Sequence, residues 1–160
     1  SEVTLLFLIN YAFNWFFAER IGKLIHHFGE RRALTAEYIG LIFVFVAYGL
    51  VDNATLAAAL YVIDHMFFAM AIAISTYFQK IDDPKDMAST AGVSFTISHI
   101  AAVVIPAALG VVWITAPELV FYCGAVFALL SLIASQFIPN QPKPGQETLM
   151  MGSGAAPAKA

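Results

Sequence analysis

Residues 54–78 read ATLAAALYVIDHMFFAMAIAISTYF, an apolar run of twenty-five residues whose only acidic or basic side chains are Asp64 and His65. A helix of about 20 apolar residues, rising about 1.5 Å per residue, crosses the hydrocarbon core of a bilayer. The run is apolar all round, not along one stripe, which is the pattern of a membrane span. Its flanks differ. Val51-Asp52-Asn53 precedes it without a lysine or arginine, whereas Lys80 and Lys85 follow it.

Working outward, four further runs of the same kind stand at 3–18, 33–51, 90–114 and 119–138. The joints between them alternate. Arg20, Lys23, Arg31 and Arg32, then Lys80 and Lys85, then Lys143 and Lys159 mark one side, while Val51-Asp52-Asn53 and Thr115-Ala116-Pro117-Glu118 on the other carry no lysine or arginine. All eight basic residues therefore fall on one side, and basic loops stay cytoplasmic. The sequence predicts an all-α, multi-pass integral membrane protein of five transmembrane helices in a plasma or bacterial inner membrane, N-terminus out and C-terminus in. Aromatic residues agree, since their amphipathic rings prefer the headgroup level. Trp15, Tyr38 and Tyr77 flank the basic side, and Tyr48, Trp113 and Tyr122 the other. Asp52-Asn53 and Asp86 read as helix-capping signals, and Pro117 as the start of the last helix. Residues 140–160, rich in Pro, Gly, Ala and Ser, read as a disordered cytoplasmic tail. The chain enters its first run almost at once, and five helices with so abrupt a start read as part of something longer.

With 60% hydrophobic and only 12% charged residues, the composition lies far from that of soluble domains, where about a quarter are charged. The few basic residues sit beside the spans, so nucleic acid is not an expected partner; membrane lipid is. A single cysteine, Cys123, excludes an intrachain disulfide. There is no HExxH spacing, glycine-rich phosphate loop or cysteine cluster. The expectation is a protein that is not an enzyme, with no metal and no cofactor.

Between the first two runs stands Gly22-Lys23-Leu24-Ile25-His26-His27-Phe28-Gly29-Glu30-Arg31-Arg32. It resembles the cytoplasmic signature loop of the major facilitator superfamily, with Gly22, Gly29, Arg31 and Arg32 in place. His26 stands where that family usually has aspartate, and Glu30 where a basic residue is common. A degenerate copy followed by four more helices is similar to the joint between helices eight and nine, which would make the chain helices eight to twelve of a twelve-helix transporter. The resemblance implies alternating access around a midplane site, a small-molecule substrate, and a missing N-terminal half of the same transporter. It also implies that the third span lines the cavity, that the first and fourth flank it, and that the second and fifth face lipid.

Ionisable groups in hydrocarbon are costly and usually face a bundle interior or water. Asp64 lies about 15 Å into its span at about 1.5 Å per residue. A carboxyl there suits a group that takes up and releases a proton, one that binds a cationic substrate, or a structural carboxyl. His65 follows it about 100° around the helix, and Tyr61 reaches toward either. His99, mid-depth in the fourth span, reads as a proton carrier or a helix-to-helix bridge. Asn10 and Asn14, one turn apart on the first span, read as substrate contacts or as glue between helices. Pro106, near Gly110, marks a kink, flexible or static. Glu37, within about a turn of Arg32, is expected to snorkel or pair at the interface. The reading that unites these residues is a secondary, proton-coupled transporter, symporter or antiporter. Its rival is a non-transporting five-helix membrane protein, an assembly partner or pH-responsive sensor.

Overall fold

The computed structural model describes residues 2–150, except for the side chains of Glu2, Val3, Leu6, Asn10, Phe13, Asn14 and Ala18. Over this range the chain is helical, without strands. The helices are α1 (Glu2–Phe28), α2 (Glu30–Leu50), α3 (Ala54–Phe68), α4 (Ile72–Ile81), α5 (Met87–Thr115) and α6 (Pro117–Ser135), with a 3-10 turn at Ala69–Ala71 joining α3 to α4. Four stretches are long and apolar enough to cross a membrane: α2, α3 with α4, α5 and α6. They coincide with the second to fifth expected spans. The fifth stretch, α1, is also long, but Asn10, Asn14, Glu19 and Arg20 dilute its apolar character.

The basic joint between the first two runs differs from the expected loop. α1 continues to Phe28 and α2 begins at Glu30, so Gly29 alone separates them. The intervening residues favour helix locally. Glu19 and Lys23 pair one turn apart at 2.7 Å, and the Arg20 guanidinium lies 5.1 Å from the centre of the Phe16 ring. Gly22 is helical, and the corner is made at Gly29, whose φ of +92° no helix continues. A side chain there would overlap the backbone carbonyl of Asn140.

Capping accounts for the opposite end. Asn53 Oδ1 accepts from the backbone N–H of Thr55 at 2.8 Å and of Leu56 at 3.4 Å, as the sequence leads one to expect. Pro117 occupies the first turn of α6, where its missing N–H is no loss. At Asp86 the side chain makes no capping bond; Asp83 Oδ1 instead accepts from Lys85 N at 3.0 Å. α5 is helical throughout, Pro106 and Gly110 included, so no interruption falls there. The interruption lies in the third span, at the 3-10 turn.

α2 is the centre of the fold. Among the described residues it packs against α1, α3, α4 and, most extensively, α6, whereas α5 touches only α4 and α6. Its buried positions Glu30, Ala33, Leu34, Glu37, Gly40 and Val44 recur with helical period along one side. Glycines let aromatic rings close on the backbone, as small residues do at membrane-helix interfaces. Phe67 of α3 fills the space at Gly40, Tyr122 of α6 that at Gly49, and Phe45 of α2 that at Gly124. At the end remote from the basic joints, Tyr48 stacks on Phe121 (5.1 Å), and Trp113 meets Phe121 edge-on (5.8 Å). Tyr122 donates to the Gly49 carbonyl there at 3.3 Å.

Residues 136–150 fold back on the basic end. Pro142 is buried, Tyr77 donates to the Glu147 carbonyl at 2.7 Å, and Leu149 N donates to Phe137 O at 2.9 Å. The remaining tail, 151–160, lies outside the described residues. Gly29→Ala is expected to cost about 1–3 kcal/mol, from backbone strain and the clash with Asn140. Gly22→Ala, where a side chain meets nothing within 4 Å, is expected to be neutral. Thermal unfolding of the two variants in detergent, followed by tryptophan fluorescence, measures the difference.

Candidate functional site

Three polar side chains expected at mid-depth come together on α3. Tyr61 and His65 are one turn apart, and their rings lie 4.2 Å centre to centre. His65 Nδ1 is 2.9 Å from the Tyr61 carbonyl oxygen. A carbonyl only accepts, so in this contact Nδ1 is the donor. Asp64 Oδ2 stands 3.7 Å from the same Nδ1. Adjacent side chains that point about 100° apart around a helix were not expected to meet. Here they come within ion-pair distance, and each keeps about a quarter of its side chain exposed (24% and 25%). Tyr48 of α2 lies within electrostatic reach of Asp64 and Tyr61, and Phe7 of α1 meets the Tyr61 ring edge-on at 6.2 Å. Among the described residues, the buried Tyr61 hydroxyl has no hydrogen-bond partner.

The 3-10 turn begins four residues beyond His65. Mid-helix turns of this kind loosen the regular i to i−4 ladder and often mark a hinge. The acid, the imidazole and the phenol therefore sit on the helical segment that ends at the break.

His99 does not join them. His99 is exposed on α5, its ring against Phe95 (3.7 Å) and its Nδ1 2.9 Å from the Phe95 carbonyl. α5 does not touch α3 among the described residues, so His99 stands apart from Asp64. The side chains of Asn10 and Asn14 lie outside the described residues. His26 is exposed at the last turn of α1.

A second polar group, at the basic end, escapes sequence reasoning. Glu30 is fully enclosed, and its Oε1 meets Lys80 Nζ of α4 at 2.6 Å. Glu30 also opens α2, where a negative charge is favoured by the helix dipole. The joint holds two acids among four bases, and Glu19 has Lys23 one turn away; Glu30 was the available signal, since it calls for a counter-charge and Lys80 lies in the other basic joint. Beside it, Arg31 donates through Nε and Nη2 to Gln136 Oε1 at 3.4 and 3.2 Å. Gln136 Nε2 is held in turn by Thr35 Oγ1 (3.0 Å), Ser135 Oγ (3.1 Å) and the Leu132 carbonyl (3.2 Å). Glu37, expected at the interface, is 2% exposed, and among the described residues its Oε2 has no hydrogen-bond partner.

No metal-holding group of three His, Cys, Asp or Glu side chains occurs among the described residues. Comparison with protein families, with curated proteins and with solved structures finds no match to this chain.

Lys80→Gln leaves the enclosed Glu30 carboxylate unpaired and is expected to cost about 3–5 kcal/mol, whereas adding Glu30→Gln restores most of that loss. A double-mutant cycle on thermal or denaturant unfolding in detergent measures the coupling. Additive single effects would show that the pair does not hold α2 to α4.

Proposed function

We propose that the chain is part of a multi-pass secondary transporter that moves a small solute together with, or against, protons. In this reading α1 joins the four apolar stretches as a fifth span, and the basic end is cytoplasmic. The observation that carries it is the Tyr61–Asp64–His65 cluster, placed about 15 Å along its helix at about 1.5 Å per residue and followed by the 3-10 turn. An ionisable pair inside an apolar helix is costly, and its usual context is an ion or substrate pathway. The Asp64 carboxyl and the His65 imidazole stand side by side on one helical segment, next to a buried Tyr61 hydroxyl that has no hydrogen-bond partner among the described residues. The break beyond them lets that segment tilt relative to α4.

The arrangement of helices supports the same reading. α2 and α6 lie back to back, α1 and α5 touch α3 or α4 from separate sides, and α5 buries none of its residues within the chain. Such a half-bundle leaves the faces of α1 and α5 for further helices. That suits a C-terminal portion of a major-facilitator-like protein working by alternating access against an N-terminal half. The back-to-back pair departs in detail from two outer helices that merely face lipid, since α2 carries the most buried side of the fold.

Asp64→Asn in the full-length transporter is expected to abolish proton-coupled uptake into cells or vesicles while membrane abundance stays unchanged. Uptake with an unaltered rate and pH dependence would remove Asp64 from the mechanism, and with it the observation on which this function rests.

A further inference from the structure

The basic end of α2 and the end of α6 border a cleft of about 590 Å³ that the transport reading does not use. Its upper wall is polar and basic, formed by Arg31, Arg32, Thr35, Gln136 and Asn140. Its lower wall, Ala36 and Ile39, is apolar. Among the described residues neither arginine is ion-paired, although the neighbouring Glu30 and Lys80 are. The partner of Arg31 is the neutral amide of Gln136, so the guanidinium is positioned without being neutralised. Its position is fixed twice over. Gln136 is clamped through Thr35, the buried Ser135 and the Leu132 carbonyl, and Thr35 Oγ1 donates to the Arg31 carbonyl at 2.7 Å. Arg32, exposed, adds a second guanidinium at the mouth.

We propose that this cleft holds the phosphate headgroup of an anionic glycerophospholipid. Two arginines lining one cleft match phosphate oxygens, which guanidiniums bind through forked N–H donors. A free phosphate would present the same headgroup chemistry, but the shape of the cleft favours an amphiphile. Its floor is apolar and leads along one face of α2, through Ile39 (55% exposed) to Phe43 (72% exposed), at positions i+7 and i+11 from Arg32. An acyl chain lying on Ile39 and Phe43 places its phosphate at the arginines, where basic clefts between helices meet headgroups. The site lies at the junction of α2, α6 and the returning 136–150 segment, so an occupied cleft staples these elements together. The proposal rests on the membrane-embedded reading of the chain and is independent of whether it transports.

Native mass spectrometry of the full chain, released from micelles containing equal phosphatidylglycerol and phosphatidylcholine, tests it. Phosphatidylglycerol is expected to be retained preferentially, and Arg31→Gln with Arg32→Gln to reduce that retention about thirtyfold, the effect of two basic residues at a membrane surface. Should the double variant lose helicity by circular dichroism, Arg32→Gln alone is expected to reduce retention about fivefold. Equal retention of the two lipids, retention of neither by a fully helical chain, or no change in Arg32→Gln overturns the proposal. Displacement of the lipid by millimolar inorganic phosphate would assign the cleft to a free anion instead and overturns it too. Sedimentation of the chain with membranes after alkaline extraction tests the membrane reading by itself, so its failure is told apart from failure of the lipid site.

Discussion

Glu30 is enclosed completely, and an enclosed carboxylate without a cation is among the costliest groups a fold can hold. The requirement that Lys80 reach it sets much of the arrangement. Lys80 stands in the last turn of α4 and Glu30 in the first turn of α2, so the pair fixes one end of the third span against the start of the second. Gly29 makes this possible by turning the chain within a single residue, so that α2 runs back beside α1 with Glu30 already facing inward. From that anchored start, the same side of α2 presents Ala33, Leu34, Glu37, Gly40 and Val44 to its neighbours. Displacing the α2 end would move each of these at once, because a helix transmits rotation along its whole length.

The two polar groups of the molecule use charge differently. At the basic end Glu30 and Lys80 neutralise each other, and the amide of Gln136 orients Arg31 without cancelling it. These are arrangements that hold helices and keep positive charge near a surface. Along α3 the contacts of Asp64 and His65 stay within about one helical turn, and the Tyr61 hydroxyl, like Glu37 Oε2 of α2, has no hydrogen-bond partner among the described residues. Groups left incompletely satisfied inside an apolar helix are destabilising unless something else engages them. The 3-10 turn beyond them is a further local irregularity in the same span. Packing is close where aromatic rings are set against Gly40, Gly49 and Gly124.

Much of this could be read in the chain and some could not. The apolar runs, the Asn53 cap, the Pro117 start and the aromatic cluster of Tyr48, Trp113 and Tyr122 at one end are each signalled locally. So is the place of Asp64 inside the third apolar run. The extension of α1 through Leu24 and Phe28 was hidden by its charges, which look like a loop but pair along a helix (Glu19 with Lys23) or lie over an aromatic ring (Arg20 on Phe16). Pro106 drew attention to the fourth span, yet α5 runs through it and the break falls at Ala69-Met70-Ala71, three ordinary helix formers. Propensity does not foretell such a turn. The segment 140–150 has a disorder-prone composition, but Tyr77 and Phe137 supply partners from elsewhere in the chain.

The sequence by itself determined the apolar helices, the Asn53 cap, the Pro117 start and the alternation of basic and non-basic joints, because each follows from hydropathy, charge or capping residues along a short stretch. The tertiary structure alone decided that α2 is the central helix, that Glu30 belongs to Lys80, and that Arg31 is held by a glutamine 105 residues away. The same holds for the separation of His99 from Asp64. These depend on which helix lies beside which. In helices that are apolar all round, hydropathy does not mark the face that meets a neighbour. Glycines opposite aromatic rings and a few buried polar contacts make that choice, and they become visible only when the helices are brought together.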